Sequence, residues 1–215
     1  MEREQEAITK LKQEFLDLPQ GDNSTLIKFY EKNKELIESI DILKSDENYY
    51  TKLKFLCEYG LGLTKSGYYT MGAEFLEKAV PMFENTPNQE YDKLKEIPYF
   101  ENLLWNYGFA LHETKQTKKA IEVFKRLNNY YPENDKYRNW YYGLKALKTS
   151  KISKPLWVIC GIWLAGEFTV FEKFESNTQF NLALGGAVLL LIVGLLELNI
   201  YLTKRKKSTN AQHVV

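Results

Sequence analysis

Two cysteines, two histidines and six prolines in 215 residues exclude several kinds of chemistry at the outset. Cys57 and Cys160 lie far apart in the sequence, too few for a disulfide framework, so a reducing compartment is the simpler reading. His112 and His213 have no Cys, Asp or Glu at metal-ligand spacing, and no glycine-rich phosphate loop follows a strand. No metal, no cofactor and no enzymatic activity are therefore expected. Excess charge of one sign is missing too. There are 29 Lys and Arg against 28 Asp and Glu, which gives no basic footprint for nucleic acid. The opening "MEREQEAITKLKQEF" is charged from its second residue and lacks an apolar core, so a cleaved secretory signal is not expected. Sustained apolar–polar alternation and Asn-Gly or Asp-Gly turns are absent before residue 150, which argues against sheets.

Long apolar runs are present, and they sit near the end. "PLWVICGIWLAGEFTVF" covers 155–171 and "FNLALGGAVLLLIVGLLELNIYL" covers 180–202. A helix needs about 20 mainly apolar residues to cross a bilayer. The second run meets that length; the first is shorter and carries Glu167. Residues 1–150 hold 22 basic and 24 acidic residues, a net of −2; residues 151–215 hold 7 and 4, a net of +3. Arg138, Lys145, Lys148, Lys151 and Lys154 precede the first run, and Lys204-Arg205-Lys206-Lys207 follows the second. The short loop between carries Lys173 against Glu172 and Glu175. Such a pattern predicts a two-pass membrane hairpin, about 155–172 and 180–202, with both termini cytoplasmic. Gly161 and Ala165, and Ala183 and Ala187, are spaced for close packing within the hairpin or between copies of the chain. Glu167 and Glu197 lie near opposite interfaces, where each reaches water.

Before residue 150 the apolar residues recur at helical spacing. Ile8, Leu11, Phe15 and Leu18 share one face. Asn23, Ser24 and Thr25 offer caps for a helix through "TLIKFYEKNKELIESIDIL". Further helices are expected in "NYYTKLKFLCEYGLGLTKS" and "YYTMGAEFLEKAVPMFE", near Pro98, from Thr117, and over 135–147. The fold class is all-α.

The stretch 101–134 resembles a tetratricopeptide repeat, a helical hairpin whose unit reads W-x2-L-G-x2-Y, then A-x3-F, then P. Leu104, Tyr107, Gly108 and Leu111 occupy the first four slots, and Ala120, Phe124 and Pro132 the last three. Small residues at Gly108 and Ala120 would let the two helices of the hairpin cross closely. A looser copy from Leu53 offers Leu56, Tyr59, Gly60, Leu63, Gly72, Leu76 and Ala79. It begins 48 residues earlier, so "ENTPNQEYDKLKEIP" is an insertion relative to the family, and the helix over 135–147 would cap the array. The resulting division is an N-terminal helix pair (1–48), a repeat region with cap (49–150), two transmembrane helices (151–207) and a polar tail (208–215).

Membership of that family implies a concave face lined by the first helix of each hairpin. The second copy would present Asn102, Trp105, Asn106, Phe109, His112 and Glu113 there, the first Lys54, Cys57, Glu58, Leu61, Thr64 and Lys65, and the cap Lys136, Asn139 and Trp140. Apolar rings with a few amides suit a protein or peptide partner. The carboxylate clamp of one subgroup is not expected, because only Asn106 and Lys136 match it. The resemblance and the apolar runs together imply an adaptor held at a lipid bilayer, recruiting a protein partner through Asn102, Trp105, Asn106, Phe109, His112 and Lys136. The alternative is an accessory subunit of a membrane complex, with the spans as its main interface. Homo-oligomerisation is left open.

Overall fold

The computed structural model describes residues 2–87, 91–169 and 176–208, which form helices and turns with no strand among them. Two compact units divide the chain, Met1–Tyr131 and Pro132–Val215.

The first unit runs α1 (Glu2–Leu16), α2 (Asn23–Lys32), α3 (Lys34–Ser39), α4 (Asp46–Lys65), α5 (Tyr69–Glu84), a 3-10 turn (Tyr91–Glu96), α6 (Pro98–Glu113) and α7 (Thr117–Tyr130). Local chemistry sets the boundaries. Asp22, one residue ahead of the expected caps, accepts from the backbone N–H of Ser24 at 3.0 Å and of Thr25 at 3.1 Å, so Asn23 to Thr25 lie inside α2. The single helix expected after Thr25 is broken at Asn33. Its side-chain amide donates to the Phe29 carbonyl at 3.0 Å, and its own φ of −106° and ψ of 14° are not helical. Ser45 caps α4 through Asn48 N–H, and Pro98 opens α6, where its missing donor costs nothing.

α4 with α5, and α6 with α7, form two hairpins whose turns repeat bond for bond. In the first, Ser66 N–H donates to Gly62 O, Gly67 to Thr64 O and Tyr68 to Leu63 O. In the second, Thr114 donates to Ala110 O, Lys115 to His112 O and Gln116 to Leu111 O. The offset is 48 residues in each case, the spacing read between the two sequence copies. Gly67 (φ 86°) and Lys115 (φ 62°) are left-handed at matching positions, so both helices end in the same six-residue capping motif. Gly108 faces the second helix of its hairpin: a Cβ there would lie 3.1 Å from Phe124 and from Val123. Ala120 is fully buried. At Gly60 a Cβ would approach Leu76 to 2.8 Å.

The core of this unit collects Ile37, Leu63, Leu76, Leu94, Phe100, Leu104, Leu111, Phe124 and Leu127, all essentially without solvent contact. Each such side chain contributes about 1.5–3 kcal/mol on burial. Leu94 shows that the insertion is tied into the core. Tyr131, whose hydroxyl donates to Lys95 O at 2.8 Å, holds the same segment from α7's end. Residues 88–90 of that insertion lie outside the described ones.

The second unit consists of α8 (Asp135–Thr169) and α9 (Ser176–Ser208). The cap expected over 135–147 and the apolar helix expected from 155 are one continuous helix, with Pro155 inside it. No glycine, proline or asparagine interrupts 144–154, so nothing stops the helix before the proline. The charged loop residues Glu172, Lys173 and Glu175, the tail with His213, and the side chain of Glu167 lie outside the described residues. α8 and α9 pack antiparallel, with Ser153 beside Glu197 and Trp163 beside Leu182. Their seam uses Ala146, Ser153, Leu156, Cys160 and Trp163 of α8. From α9 it takes Leu182, Gly186, Leu189, Val193, Leu196, Ile200 and Thr203. Steps of three and four residues, or the seven from Ala146 to Ser153, are the repeat of a left-handed coiled coil. Gly161, Ala165, Ala183 and Ala187, spaced for packing within the hairpin or between copies of the chain, are exposed and take no part in the α8–α9 contact. The close approach occurs at Gly186, where a Cβ would lie 2.8 Å from the Trp163 indole nitrogen.

Candidate partner-binding surface

The face assigned to the first copy is largely occupied. Cys57, Leu61 and Thr64 are buried, while Lys54 and Lys65 remain exposed and Glu58 half-exposed. Thr64 is covered by α5, where a Cβ on Gly72 would lie 2.4 Å from its Oγ1, and α2 packs beside the face, where a Cβ on Gly62 would lie 2.7 Å from the Leu26 side chain. α1 covers more of it through Phe15, whose ring meets Phe55 edge-on at 5.1 Å and lies 5.2 Å beneath the Lys54 ammonium. Lys12 pairs with Glu47 at 3.0 Å. Burial pushes the Cys57 thiol up to about 12, so it stays protonated at neutral pH and is a poor nucleophile. Burial likewise raises the Tyr99 phenol far above its usual range, and its hydroxyl donates to Glu58 at 2.8 Å across α4 and α6.

In the second copy Asn102 is exposed, Trp105, Phe109 and His112 are half-buried, and Asn106 is 8% exposed. The Asn106 amide reaches back along its own helix, donating to Asn102 O at 2.8 Å and Asn102 Oδ1 at 2.9 Å. It therefore braces α6 rather than offering a donor outward. Trp105 and Phe109 stack with centroids 6.4 Å apart. Trp105 also meets Phe124 of α7 edge-on at 5.5 Å, and Phe109 meets Tyr69 of α5 at 5.7 Å. The structure thus brings Trp105 and Phe109 together as a row that bridges three helices. Lys136 belongs to the second unit, in the first turn of α8, with its ammonium 5.9 Å from the Tyr137 ring.

Sequence reasoning missed Tyr69 and Tyr99. The 48-residue offset places Tyr99 opposite Thr51, so no repeat slot marks it. Tyr69 opens α5 at the place where Thr117 opens α7, again without a shared residue type.

α9 is the one helix among the described residues that is long and apolar enough to cross a membrane, over Ser176–Lys206. Only 17% of its most apolar stretch is buried. The Glu197 carboxylate, expected to reach water alone, accepts from Ser153 Oγ at 2.7 Å and from the Trp157 indole at 3.3 Å. No group of His, Cys, Asp and Glu able to hold a metal ion occurs among the described residues. No protein-family model, curated protein or solved structure matches this chain.

Proposed function

We propose that this chain is a membrane-anchored adaptor of the tetratricopeptide kind. α8 and α9 hold it in a bilayer as a two-pass hairpin with both termini on the cytoplasmic side. The paired hairpins of the first unit recruit a protein partner. The observation that carries the anchoring is the outer surface of α8 and α9. Val158 is 63% exposed, Ile162 69%, Leu191 65% and Leu195 59%. Contiguous apolar surface of this kind marks contact with lipid or protein rather than water. Lys204, Arg205 and Lys206 close α9, and Lys145 and Lys148 stand about level with them on α8, as a cytoplasmic flank would, while Lys151 and Lys154 lie further along the pair towards Ser153 and Glu197. Support for the repeat reading comes from the duplicated turn and its 48-residue offset. Partner recruitment is supported by the aromatic row of Trp105 and Phe109, rimmed by exposed Asn102.

Two measurements test this. Full-length protein should stay in the membrane pellet through alkaline carbonate, and single cysteines at Gln20→Cys and Lys206→Cys should label from the same side. Labelling from opposite sides removes the two-pass arrangement. Crosslinking in intact membranes should then show one specific partner lost in Asn102→Arg. A second reading, an accessory subunit using its spans, is favoured by Gly161 and Gly194, which meet nothing within 4 Å where a Cβ would stand. If Gly161→Leu loses the crosslink while Asn102→Arg keeps it, that second reading holds.

A further inference from the structure

We infer that the foot of the α8–α9 pair binds the phosphate of an anionic phospholipid headgroup. This rests on the anchoring proposed above. A cleft of about 450 Å³ lies there, lined by Tyr142, Gly143, Ala146, Leu147 and Ser150 of α8 and by Lys204 of α9.

Depth is the first argument. Ser153 and Glu197 face each other across the seam and fix the register. Ala146 lies seven residues before Ser153, and Lys204 seven after Glu197, so both stand about 10 Å further along the pair. The apolar run of α9 ends at Leu202, two residues short of Lys204. The apolar run of α8 begins only at Pro155, level with about residue 195 of α9, so the hydrocarbon edge falls between that depth and Leu202, and the cleft stands outside it at headgroup level.

Chemistry is the second. The Lys204 ammonium supplies the counter-charge, and the hydroxyls of Tyr142 and Ser150 supply donors for phosphate oxygens. Gly143 leaves space, since a Cβ there would touch nothing within 4 Å. Ala146 and Leu147, the latter 41% exposed, give an apolar wall suited to the glycerol and first acyl methylenes. An inorganic or sugar phosphate would gain nothing from that wall.

The third argument is the field. Apart from Glu197, which lies about 10 Å from the cleft and is held by Ser153 and Trp157, no acidic residue occurs in 136–166 or from 176 onward. Lys145, Lys148, Lys151 and Lys154 of α8 and Lys204, Arg205 and Lys206 of α9 therefore act with one sign. Such basic clusters beside a span attract anionic lipid, and the cleft gives that attraction a defined seat.

The test uses full-length protein in nanodiscs of phosphatidylcholine with and without phosphatidylglycerol, followed by native mass spectrometry of retained lipid. Phosphatidylglycerol should be retained selectively. Lys204→Ala, and separately Tyr142→Phe with Ser150→Ala, should lower its retention at least about fivefold. Lys148→Ala with Lys151→Ala removes more charge outside the cleft and should change it less. An equal or larger loss in that control overturns the site in favour of a diffuse field, and absence of selectivity overturns it outright. Displacement of the lipid by glycerol phosphate or inorganic phosphate would reassign the site to a soluble ligand. Carbonate-resistant protein without lipid selectivity defeats this inference alone; protein released by carbonate defeats the anchoring beneath it.

Discussion

Lys115 holds a backbone conformation that its own side chain opposes. Its φ of 62° matches the 86° of Gly67 at the same point of the other hairpin. A Cβ in that region costs about 1–2 kcal/mol, while glycine loses about 0.5–1 kcal/mol more chain entropy on folding. Lys115→Gly should therefore stabilise the first unit by about 0.5–1 kcal/mol in a urea melt, and Gly67→Ala should destabilise it by a similar amount. Gly72 sets the opposite limit. A Cβ there would lie 2.4 Å from Thr64 Oγ1 and 3.1 Å from Thr64 N, so backbone must move. Gly72→Ala should cost about 1–3 kcal/mol in the same melt. Asp22 gives a pH signature. The side-chain bond from Thr25 and the backbone N–H of Thr25 hold its carboxyl below the usual value of 3.8. The folded pKa is the lower one, so the stabilisation is complete above the unfolded value and fades as pH falls through the folded one. Asp22→Asn keeps a capping oxygen and should remove that part of the acid dependence, measured as the difference in melting midpoint between neutral and strongly acidic buffer.

At the level of elements, periodicity and caps announced most helices, and packing partners were the unread part. α6 from Pro98 and α7 from Thr117 were visible because a proline and a threonine mark their starts. The break at Asn33 was not, because it depends on one side-chain amide choosing its own backbone. In α9 the residues Ala183 and Ala187 looked like the contact face, yet spacing by four exists on every face of a helix. Only the partner's position selects Gly186 and Val193 instead. Likewise Cys57, Leu61 and Thr64 fit a binding face by family register, but Thr64 lies against Gly72 of α5, Cys57 against Tyr99 of α6, and Leu26 of α2 crowds the neighbouring Gly62. Glu197 is the feature of α9 whose role depends most on that partner. With Ser153 only 1% exposed, removing the carboxylate leaves a buried hydroxyl unsatisfied. Glu197→Gln keeps an acceptor and should be nearly neutral. Glu197→Leu should loosen the α8–α9 contact by about 0.6–2 kcal/mol, followed by Trp157 fluorescence during SDS titration. Ser153→Ala combined with Glu197→Leu should cost less than the two separate losses added together, because one interaction is being removed twice.

Across the whole molecule, composition and contacts divide the chain at different places. Hydropathy changes after residue 150, where apolar residues begin to dominate. Contacts divide it at Tyr131 and Pro132, before α8 starts. The two disagree because α8 is a single helix whose first half is polar enough to read with the helices that precede it. Helix propagation adds a bond per residue at little cost, so a change of solvent preference along a helix does not end it. The contact boundary has a consequence that the composition boundary lacks. If Met1–Tyr131 is a folding unit, its core must be complete without α8, and Phe100, Leu104, Leu111, Phe124 and Leu127 all lie inside it. A fragment ending at Tyr131 should unfold in one cooperative transition with coincident helical and aromatic signals. Ending the chain at Glu113 instead removes α7, and with it Ala120, Phe124 and Leu127 from the face that Gly108 approaches. That shorter fragment should bind a hydrophobic dye and melt without a sharp midpoint. If the fragment ending at Tyr131 does the same, the first unit needs residues beyond Tyr131, and the division must move into α8.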